Sequence, residues 1–448
     1  MNLQAGSSNY FVFAAGVFFL YWACAQSRLP RLGLILLANY FFCARYGLFY
    51  LWLIPACSTA DYLAGLGLMR WRAAWVRRAL VGVSLAVNLG LLASSRHWAF
   101  ALGLSFYTLQ SLTYTLDLFR RDGEGTHSLL AYLSAVSFFP TLQAGPITRV
   151  TELLNQFAKP RLLSRADGGR AFFLIGLGLL KKVLLADFLA ENLVNRVFDT
   201  PNLYSGAEVL IAVYAYSLQL YFDFSGYTDI ARGTALLLGI QLPINFDRPY
   251  LAGNLAEFWR RWHLSFSNWL RDYLYFSLPG ARTKVMPYVN LVITMLLGGL
   301  WHGLTWPFAV WGLLHGTMLA ATRFYQARRG RVRNPENPLG RALAVVGTYH
   351  FVCLTWVFFR AGSMASAWQI LARIGSLTPG LENVTPLLAG ALLLAAATMF
   401  VRKAWYAWAM EGFAATPFYV HALALALVAV TVQSLGGRGG VPFIYSRF

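Results

Sequence analysis

The sequence predicts an all-α protein that crosses a membrane several times. Of its 448 residues, 58% are hydrophobic and 12% are charged, whereas a soluble domain carries about 25% charged residues. A water-soluble core stops growing near about 250–300 residues, so an apolar excess along the whole chain needs lipid as part of its solvent. The apolar runs have span length and are separated by short charged clusters. These observations predict one integral-membrane domain over residues 1–448.

The net charge of +19 is distributed as membrane topology predicts. Basic clusters at Arg70–Arg78, Arg120–Arg121 and Arg323–Arg341 follow apolar runs, which is typical of cytoplasmic loops. A nucleic-acid-binding protein would instead collect its basic residues on one solvated face. We therefore expect the lipid bilayer as a partner, no nucleic acid, an outward-facing N-terminus and about ten spans.

Two apolar segments do not have the pattern of ordinary spans. Leu129–Gly145 is interrupted by Phe138-Phe-Pro and runs into Ala144-Gly-Pro, and basic residues stand on both sides of it. This pattern predicts a re-entrant segment, which a membrane tolerates only where protein buries it. Val285–Leu300 is a second re-entrant segment or a short span, and residues 242–285 are too charged to cross.

Lys181 and Lys182 stand in the middle of residues 171–195, an apolar stretch long enough to span. Two ammonium groups cannot face hydrocarbon. Either they face the bundle interior or a wet cavity, or the helix breaks and the lysines extend to the interface. Both interpretations stay open on the residues alone.

Residues 257–275 predict one amphipathic helix with an aromatic stripe. Large aromatic side chains recur at three- and four-residue intervals, at Trp259, Trp262, Phe266, Trp269 and Tyr273. Arg260, Arg261 and Arg271 fall mainly on the other side. The pattern is typical of a helix lying on the cytoplasmic surface. The functional alternative is that these arginines guide an anionic donor that carries phosphate.

His302 is the candidate general base. It lies between two apolar segments, in Gly298-Gly-Leu-Trp-His-Gly-Leu-Thr-Trp306, where glycines allow the backbone to bend and approach closely. An ionisable group is costly there without a partner or a function. Imidazole can accept a hydroxyl proton at neutral pH. The plainer alternative, a histidine that hydrogen-bonds between helices, applies to His302 and more strongly to His263 and His315.

The sequence lacks the motifs of several other enzyme classes. It contains no Gly-x-Ser-x-Gly, no His-Glu-x-x-His and no phosphate-binding glycine loop, which argues against a serine hydrolase, a zinc peptidase and a nucleotide-driven pump. Its four cysteines form no metal-ligand pattern. A thioester donor is already activated, so a positioned base suffices. We expect no metal and no bound cofactor.

A series of motifs, in this order, resembles the bacterial branch of the membrane-bound O-acyltransferase family, most closely its alginate O-acetyltransferase-like members. The motifs occupy Ser105–Tyr114, Phe138–Ile147, Gly178–Asp187, Tyr221–Ala231, Asn245–Tyr250, Phe258–Ser265, Trp269–Tyr273, Gly298–Gly303, Trp356–Arg360 and Pro442–Tyr445. Each motif is short, and their number and order make the resemblance specific. It implies a helical bundle with re-entrant segments around a central cross-membrane tunnel.

The resemblance also implies a reaction. An acetyl group passes from a cytoplasmic thioester, acetyl-CoA or an acyl-carrier thioester, toward an extracytoplasmic polysaccharide through a periplasmic acetyltransferase or another glycan-modifying partner. The implied location is the bacterial inner membrane. His302 is the implied catalytic base, and His263 is a second active-site or tunnel residue. The implied substrate-binding residues are Trp259, Arg260, Arg261, Trp262, Trp301, Lys181 and Lys182.

The acceptor and two other functions stay open. After Tyr275 the alginate-type pattern continues as Ile-Pro-Leu-Gly-Gly-Asn-Arg, whereas this chain has Phe-Ser-Leu-Pro-Gly-Ala-Arg over Phe276–Arg282. Alginate, peptidoglycan, cellulose and other surface polysaccharides are therefore all possible acceptors. One alternative is a carrier-protein-fed transferase that resembles the teichoic-acid D-alanylation enzyme. The other is a transporter of acylated lipid, with Lys181, Lys182 and His302 along its path.

Overall fold

The computed structural model of this chain describes residues 3, 7–95, 103–159, 162–280, 285–329, 337–435 and 443–444. Those residues contain helices and no β-strand, which confirms the all-α prediction. Three residues named above lie outside the described part of the chain, namely Arg282, Pro442 and Tyr445.

Twenty α-helices occur in the described residues, some of them extended by short π or 3-10 turns. They are α1 Ser8–Ala23, α2 Arg28–Ala44, α3 Tyr50–Arg70, α4 Ala74–Ser95, α5 Leu104–Arg120, α6 Leu129–Val136, α7 Phe139–Leu142, α8 Val150–Ala158, α9 Arg165–Leu180, α10 Asn195–Asp199, α11 Gly206–Leu237, α12 Leu255–Trp259, α13 Leu264–Trp269, α14 Met286–His302, α15 Trp306–Arg329, α16 Pro338–Arg360, α17 Met364–Gly375, α18 Pro386–Thr398, α19 Lys403–Ala415 and α20 Phe418–Leu435.

By length and composition, three of the described helices can cross a membrane. These are α3, α4 and α16, and the pair α18–α19, bent by 94°, makes a fourth if it is one broken span. Helices α1 and α20 are apolar but shorter. Large apolar side chains on these outer helices are exposed, for example Trp52 and Leu393. The number of about ten spans stays a prediction, because a buried helix such as α11 carries polar side chains, Asp223 and Asp229 among them, and its composition alone does not mark it as a span.

Helix α11 is the centre of the bundle. A capping box starts it, since Ser205 Oγ accepts from the Glu208 amide while the Glu208 carboxylate accepts from the Ser205 amide. Its 32 residues are buried along most of their length. A Cβ added at Gly226 would lie 2.7 Å from the Gly178 carbonyl of α9. The two helices therefore touch backbone to backbone, as small residues allow in membranes.

The helix that begins as α9 continues through π turns at Lys181–Asp187 and Ala190–Val194. Lys181 Nζ lies 2.6 Å from Asp229 of α11. Lys182 Nζ lies 2.6 Å from Asp223 and 2.8 Å from Asp187. Both lysines therefore face the bundle interior and do not extend to the interface. Their role in substrate binding stays a prediction.

The segment Leu129–Gly145 folds as the re-entrant prediction requires. Helix α6 has eight residues, a length of about 12 Å, and cannot cross a membrane. The chain breaks at Ser137 and Phe138, where Asn39 of α2 donates to the Ser134 carbonyl and accepts from the Phe139 amide. Residues 131–148 are all buried, so protein satisfies this irregular backbone.

The continuous helix predicted over 257–275 is wrong. Helix α12 ends at Trp259, and His263 adopts a left-handed conformation with φ of 43° before α13 begins. The cause is pairing with an earlier strand-like stretch: the Asp247 amide donates to the Arg261 carbonyl and the Leu264 amide donates to the Asn245 carbonyl. These long-range hydrogen bonds outweigh the local helical periodicity.

The same segment does not lie on the surface as an interfacial helix. Most of its aromatic side chains are buried and Trp269 is half-buried. Tyr250, which precedes the segment, donates to the Ser217 carbonyl in the middle of α11. The chain then returns along α5, where Trp269 donates to the Leu109 carbonyl and Tyr273 donates to Asp117. Residues 243–277 therefore form a second re-entrant loop, which we call the apex loop. It enters near the end of α11 and leaves near Arg120.

Helices α14 and α15 form a tight hairpin. A Cβ at Gly312 would lie 2.5 Å from the Met295 carbonyl, so the two backbones are in contact. Helix α15 ends among arginines, and the turn after His302 lies at the opposite end. Seventeen residues of α14 span about 25 Å. From the positive-inside rule we expect the arginine end to face the cytoplasm and the hairpin tip to face outward.

Candidate active site

His302 is the last residue of α14 and lies just beneath the exposed hairpin tip. Its side chain is 6% exposed, whereas residues 304–306 are exposed. Aromatic rings surround the imidazole, with centroid distances of 4.7 Å to Trp301, 4.9 Å to Phe359, 5.6 Å to Trp311 and 5.8 Å to Phe266. The candidate base is therefore shielded by aromatic rings and lies directly before the turn that joins α14 to α15.

His263 lies at the turning point of the apex loop and is 1% exposed. Its Nδ1 is 3.4 Å from Asn245 Oδ1, an oxygen that also accepts from the Ser265 amide. Because that oxygen can only accept, His263 carries its hydrogen on Nδ1 and the lone pair on Nε2. Phe224 of α11 packs edge-on against the ring at 4.7 Å. The imidazole is thus fixed in both position and tautomer.

One phenyl ring joins the two histidines. Phe266 stacks on His263 at 5.0 Å and contacts His302 at 5.8 Å. It also stacks on Trp301 at 4.7 Å. The apex loop and the α14–α15 hairpin therefore meet at a site that contains His302, His263 and Trp301.

Of the predicted tryptophans, Trp301 contacts His302 directly, whereas Trp259 and Trp262 pack against Trp311 and Trp356, one layer further from the imidazole. Trp301 Nε1 donates to the Ser105 carbonyl and fixes the hairpin to α5. Trp262 is buried between Phe258 and Trp356, at centroid distances of 5.7 and 5.2 Å. Their packing gives the site a rigid aromatic boundary, and their contact with substrate stays a prediction.

The two predicted arginines have different surroundings. Arg260 is exposed. Arg261 pairs with Glu257 at 2.5 Å, one helical turn earlier. Both side chains of this pair are partly buried, so the Glu257 carboxylate already compensates the charge of Arg261. Donor binding by Arg260 and Arg261 stays a prediction.

His315 is a structural histidine. Its Nδ1 accepts from Trp259 Nε1 at 3.2 Å, and its Nε2 donates to Thr355 Oγ1 at 2.8 Å. Thr355 in turn donates to the Val352 carbonyl. This chain of hydrogen bonds fixes a neutral imidazole between α15 and α16. His315 is therefore a histidine that hydrogen-bonds between helices, as the plainer alternative predicted.

Sequence reasoning missed two groups that shape the site. Asn245 orients His263, and Phe359 packs on His302. Both lie within motifs quoted above, Asn245–Tyr250 and Trp356–Arg360. Only their positions within these motifs could have indicated a role, because an asparagine or a phenylalanine alone does not.

Comparison with known proteins supports the family resemblance independently. The model of MBOAT, the membrane-bound O-acyltransferase family, matches residues 84–359, which include both histidines. The chain is 36% identical to the probable alginate O-acetylase AlgI of Pseudomonas aeruginosa, over 87% of this chain and 79% of that protein. It is 34% identical to the peptidoglycan O-acetyltransferase of Helicobacter pylori, over 79% and 75%. It is 29% identical to the teichoic acid D-alanyltransferase of Bacillus subtilis, over 58% and 68%.

Proposed function

We propose that this chain, an O-acyltransferase that belongs to the membrane-bound O-acyltransferase family, takes an acetyl group from a cytoplasmic thioester and passes it toward an extracytoplasmic polysaccharide. The observation that carries the proposal is the position of His302. It lies at the tip of a hairpin whose other end is basic, and Phe266 packs against both it and His263, which stands at the turning point of the apex loop. A base at that position can serve a donor from one side and an acceptor from the other.

His302 acts as the general base. The acceptor oxygen attacks the thioester carbonyl carbon, the new C–O bond forms, and the C–S bond breaks. His302 takes the hydroxyl proton and returns it to the departing thiolate, so the products are an ester and a free thiol. A positioned base of this kind contributes about 10²–10⁴ in rate. The surrounding rings of Trp301, Trp311 and Phe359 exclude water that would hydrolyse the thioester.

His263 has a different part in this reaction. Its Nδ1 hydrogen is directed to Asn245, so Nε2 can accept a hydrogen bond and cannot donate one while the ring is neutral. We assign it to binding a donor or acceptor N–H or O–H near the thioester. It is a binding group beside the base.

The finer parts of the proposal are supported by the relatives. Two of them are named for acetyl transfer on alginate and on peptidoglycan, which favours acetyl-CoA as donor and a surface polysaccharide as acceptor. An acceptor outside the cytoplasm also favours a bacterial inner-membrane location and a periplasmic partner that completes the transfer. The relatives named for D-alanyl transfer to teichoic acid keep a carrier-protein donor as second candidate, at lower identity and coverage.

Purified protein with labelled acetyl-CoA and alginate or peptidoglycan oligomers tests the proposal. We expect His302→Ala to lower acetyl transfer by about 10²–10⁴. His350→Ala is the matched control, because His350 is exposed on α16 and bonds the carbonyl of its own helix. Full activity in His302→Ala would exclude His302 as base. Turnover only with an aminoacyl carrier protein would replace the donor assignment by the second candidate.

A further inference from the structure

One buried carboxyl group, which the proposed reaction does not use, lies where α3, α4 and α5 meet. Asp61 stands near the middle of α3 and has an exposed fraction of 0%. Its Oδ2 accepts from Asn88 Nδ2 of α4 at 2.7 Å and from Ser111 Oγ of α5 at 2.5 Å. Asp61 therefore joins three helices, two of which have the length and composition of membrane spans.

The surroundings of Asp61 do not compensate a negative charge. Among the described residues, no lysine, arginine or histidine forms an ion pair with it. Arg77, a cation of α4, donates to the carbonyls of Leu68 and Leu118 instead. An ionised carboxylate that is buried without a cation is very costly, and charged groups inside a membrane are as a rule paired.

The other titratable groups that face Asp61 are themselves uncharged at neutral pH. They are Tyr107 of α5, Tyr132 of α6 and Cys57, one turn earlier on α3. Tyr107 shares a hydrogen bond of 2.7 Å with Ser58. These groups supply polarity to the contact between the helices, but they supply no positive charge.

Two oxygen atoms at the contact have no hydrogen-bond partner among the described residues, namely Asp61 Oδ1 and Asn88 Oδ1. Buried polar atoms are paired in the great majority of cases, so this coincidence needs an explanation. The orientation of the amide is fixed, because Asn88 Nδ2 donates both to Asp61 and to the Ser84 carbonyl at 3.0 Å. Rotating the amide by half a turn would set its oxygen against these two acceptors.

A single proton satisfies both oxygens. A carboxylic acid and a primary amide form a cyclic pair, in which the amide N–H donates to one carboxyl oxygen and the acid O–H donates to the amide oxygen. The first of these hydrogen bonds is present, and the two unsatisfied oxygens are the atoms that the second one joins. We propose that Asp61 is a protonated carboxylic acid that donates its Oδ1 hydrogen to Asn88 Oδ1, and that this contact is a proton-binding site inside the membrane.

A proton fits the contact better than a metal ion. Calcium takes about six to eight oxygen ligands, whereas two oxygens are unsatisfied here. Within the described ranges, no group of three or more His, Cys, Asp or Glu side chains could hold a metal ion. A proton also needs no cavity, since it occupies no more room than the hydrogen bond that it makes.

The proton links folding to pH. An exposed aspartic acid in the unfolded chain is ionised at neutral pH, so folding takes up one proton and the stability falls as the pH rises. Helix α5 transmits this effect, because its Ser111 bonds Asp61 while its Ser105 carbonyl accepts from Trp301 beside His302. The neutral pair therefore holds the helix to which the candidate active site is attached.

Infrared difference spectra of the purified protein test the protonation directly. At neutral pH, subtracting the Asp61→Asn spectrum from the wild-type spectrum should leave the C=O stretching band of a protonated carboxylic acid, and this band should shift in heavy water. Asp117→Asn is the matched control, because Asp117 is also buried but is paired with Arg149. Its difference spectrum should contain the band of an ionised carboxylate. The ionised band alone in the Asp61 difference would overturn the proposal.

Thermal unfolding in detergent gives an independent test. Asp61→Asn replaces the acid O–H by an amide N–H, so we expect a Tm close to that of the wild type at neutral pH. Above about pH 8, its Tm should fall less steeply than that of the wild type, because it has no proton to lose. Asp61→Leu leaves Asn88 and Ser111 without their shared acceptor and should lower the Tm at every pH.

The other outcomes of this measurement decide against the proton. A Tm of Asp61→Asn as low as that of Asp61→Leu would show that the site needs a negative charge. A Tm of the wild type that rises with sodium or calcium, with no such rise in Asp61→Asn, would assign the two oxygens to a metal cation. Neither experiment contains an acyl donor, so the results stand whether or not His302 is the base.

Discussion

Asn245 Oδ1 lies 3.4 Å from Nδ1 of His263 and orients that imidazole from 18 positions earlier in the chain. The same oxygen accepts from the Ser265 amide at 3.1 Å. One side chain therefore fixes both the backbone of the apex loop and the tautomer of the histidine that it carries. The chemistry of the site therefore depends on a contact between two motifs that are separate in sequence.

Asn245→Ala should release the His263 ring. We expect kcat/KM for acetyl transfer to fall about tenfold, as loss of one orienting hydrogen bond predicts. Asn245→Asp keeps the accepting oxygen and should retain more activity than Asn245→Ala. Equal activities in the wild type and a folded Asn245→Ala protein would show that this contact does not position the site.

The two histidines should differ in their pH profiles. If His302 is the base, the rate of acetyl transfer rises with pH until the imidazole is deprotonated and then levels off. His263→Ala should lower the plateau and keep the rise. His302→Ala should lose the rise, because the titrating base is gone. A profile measured for each variant tests this, and an unchanged rise in His302→Ala would assign it to another group.

Lys182 should matter for stability. Lys182→Met leaves Asp223 and Asp187 without their shared ammonium group, and breaking a buried ion pair costs about 3–5 kcal/mol. We expect a lower Tm in detergent. Replacing Asp223 as well, in Lys182→Met/Asp223→Leu, should recover part of the loss. An unchanged Tm with a raised KM would instead support the predicted substrate-binding role.

The close contact between α14 and α15 should hold His302 in place. A side chain in Gly312→Ala would press on the Met295 carbonyl, and such overpacking costs about 1–3 kcal/mol. We expect lower stability and lower activity, because the hairpin tip moves. Gly347→Ala is the control, since nothing lies within 4 Å of a Cβ there. Equal behaviour of the two variants in unfolding and activity assays would contradict this packing argument.

The sequence predicted some of these features because their cause is local. His302 could be predicted because an ionisable imidazole between apolar segments is costly, and because glycines lie within a few residues of it. The re-entrant segment at Leu129–Gly145 was found because Pro140 and Gly145 interrupt it within a few residues. Each of these two signals lies within a few consecutive residues.

Other features depend on partners far away in sequence. The 3-4-3-4 spacing from Trp259 to Tyr273 predicted one helix, but Asn245 and Asp247 bind the backbone in the middle of it. The carboxylate that pairs with Lys181 is 48 residues away, at Asp229. Periodicity carries no information about such contacts, and a charged segment buried by protein has the same composition as one on a surface.

Transfer across a sealed vesicle tests the central claim most directly. Protein is reconstituted in one orientation with labelled acetyl-CoA on the side of the basic loops and the polysaccharide acceptor on the side of the hairpin tip, with any periplasmic partner supplied there. The account predicts labelled acceptor with the wild type and about 10²–10⁴ less with His302→Ala. Transfer only when donor and acceptor share one side, or equal transfer by both proteins, would contradict a base at residue 302 that serves both faces.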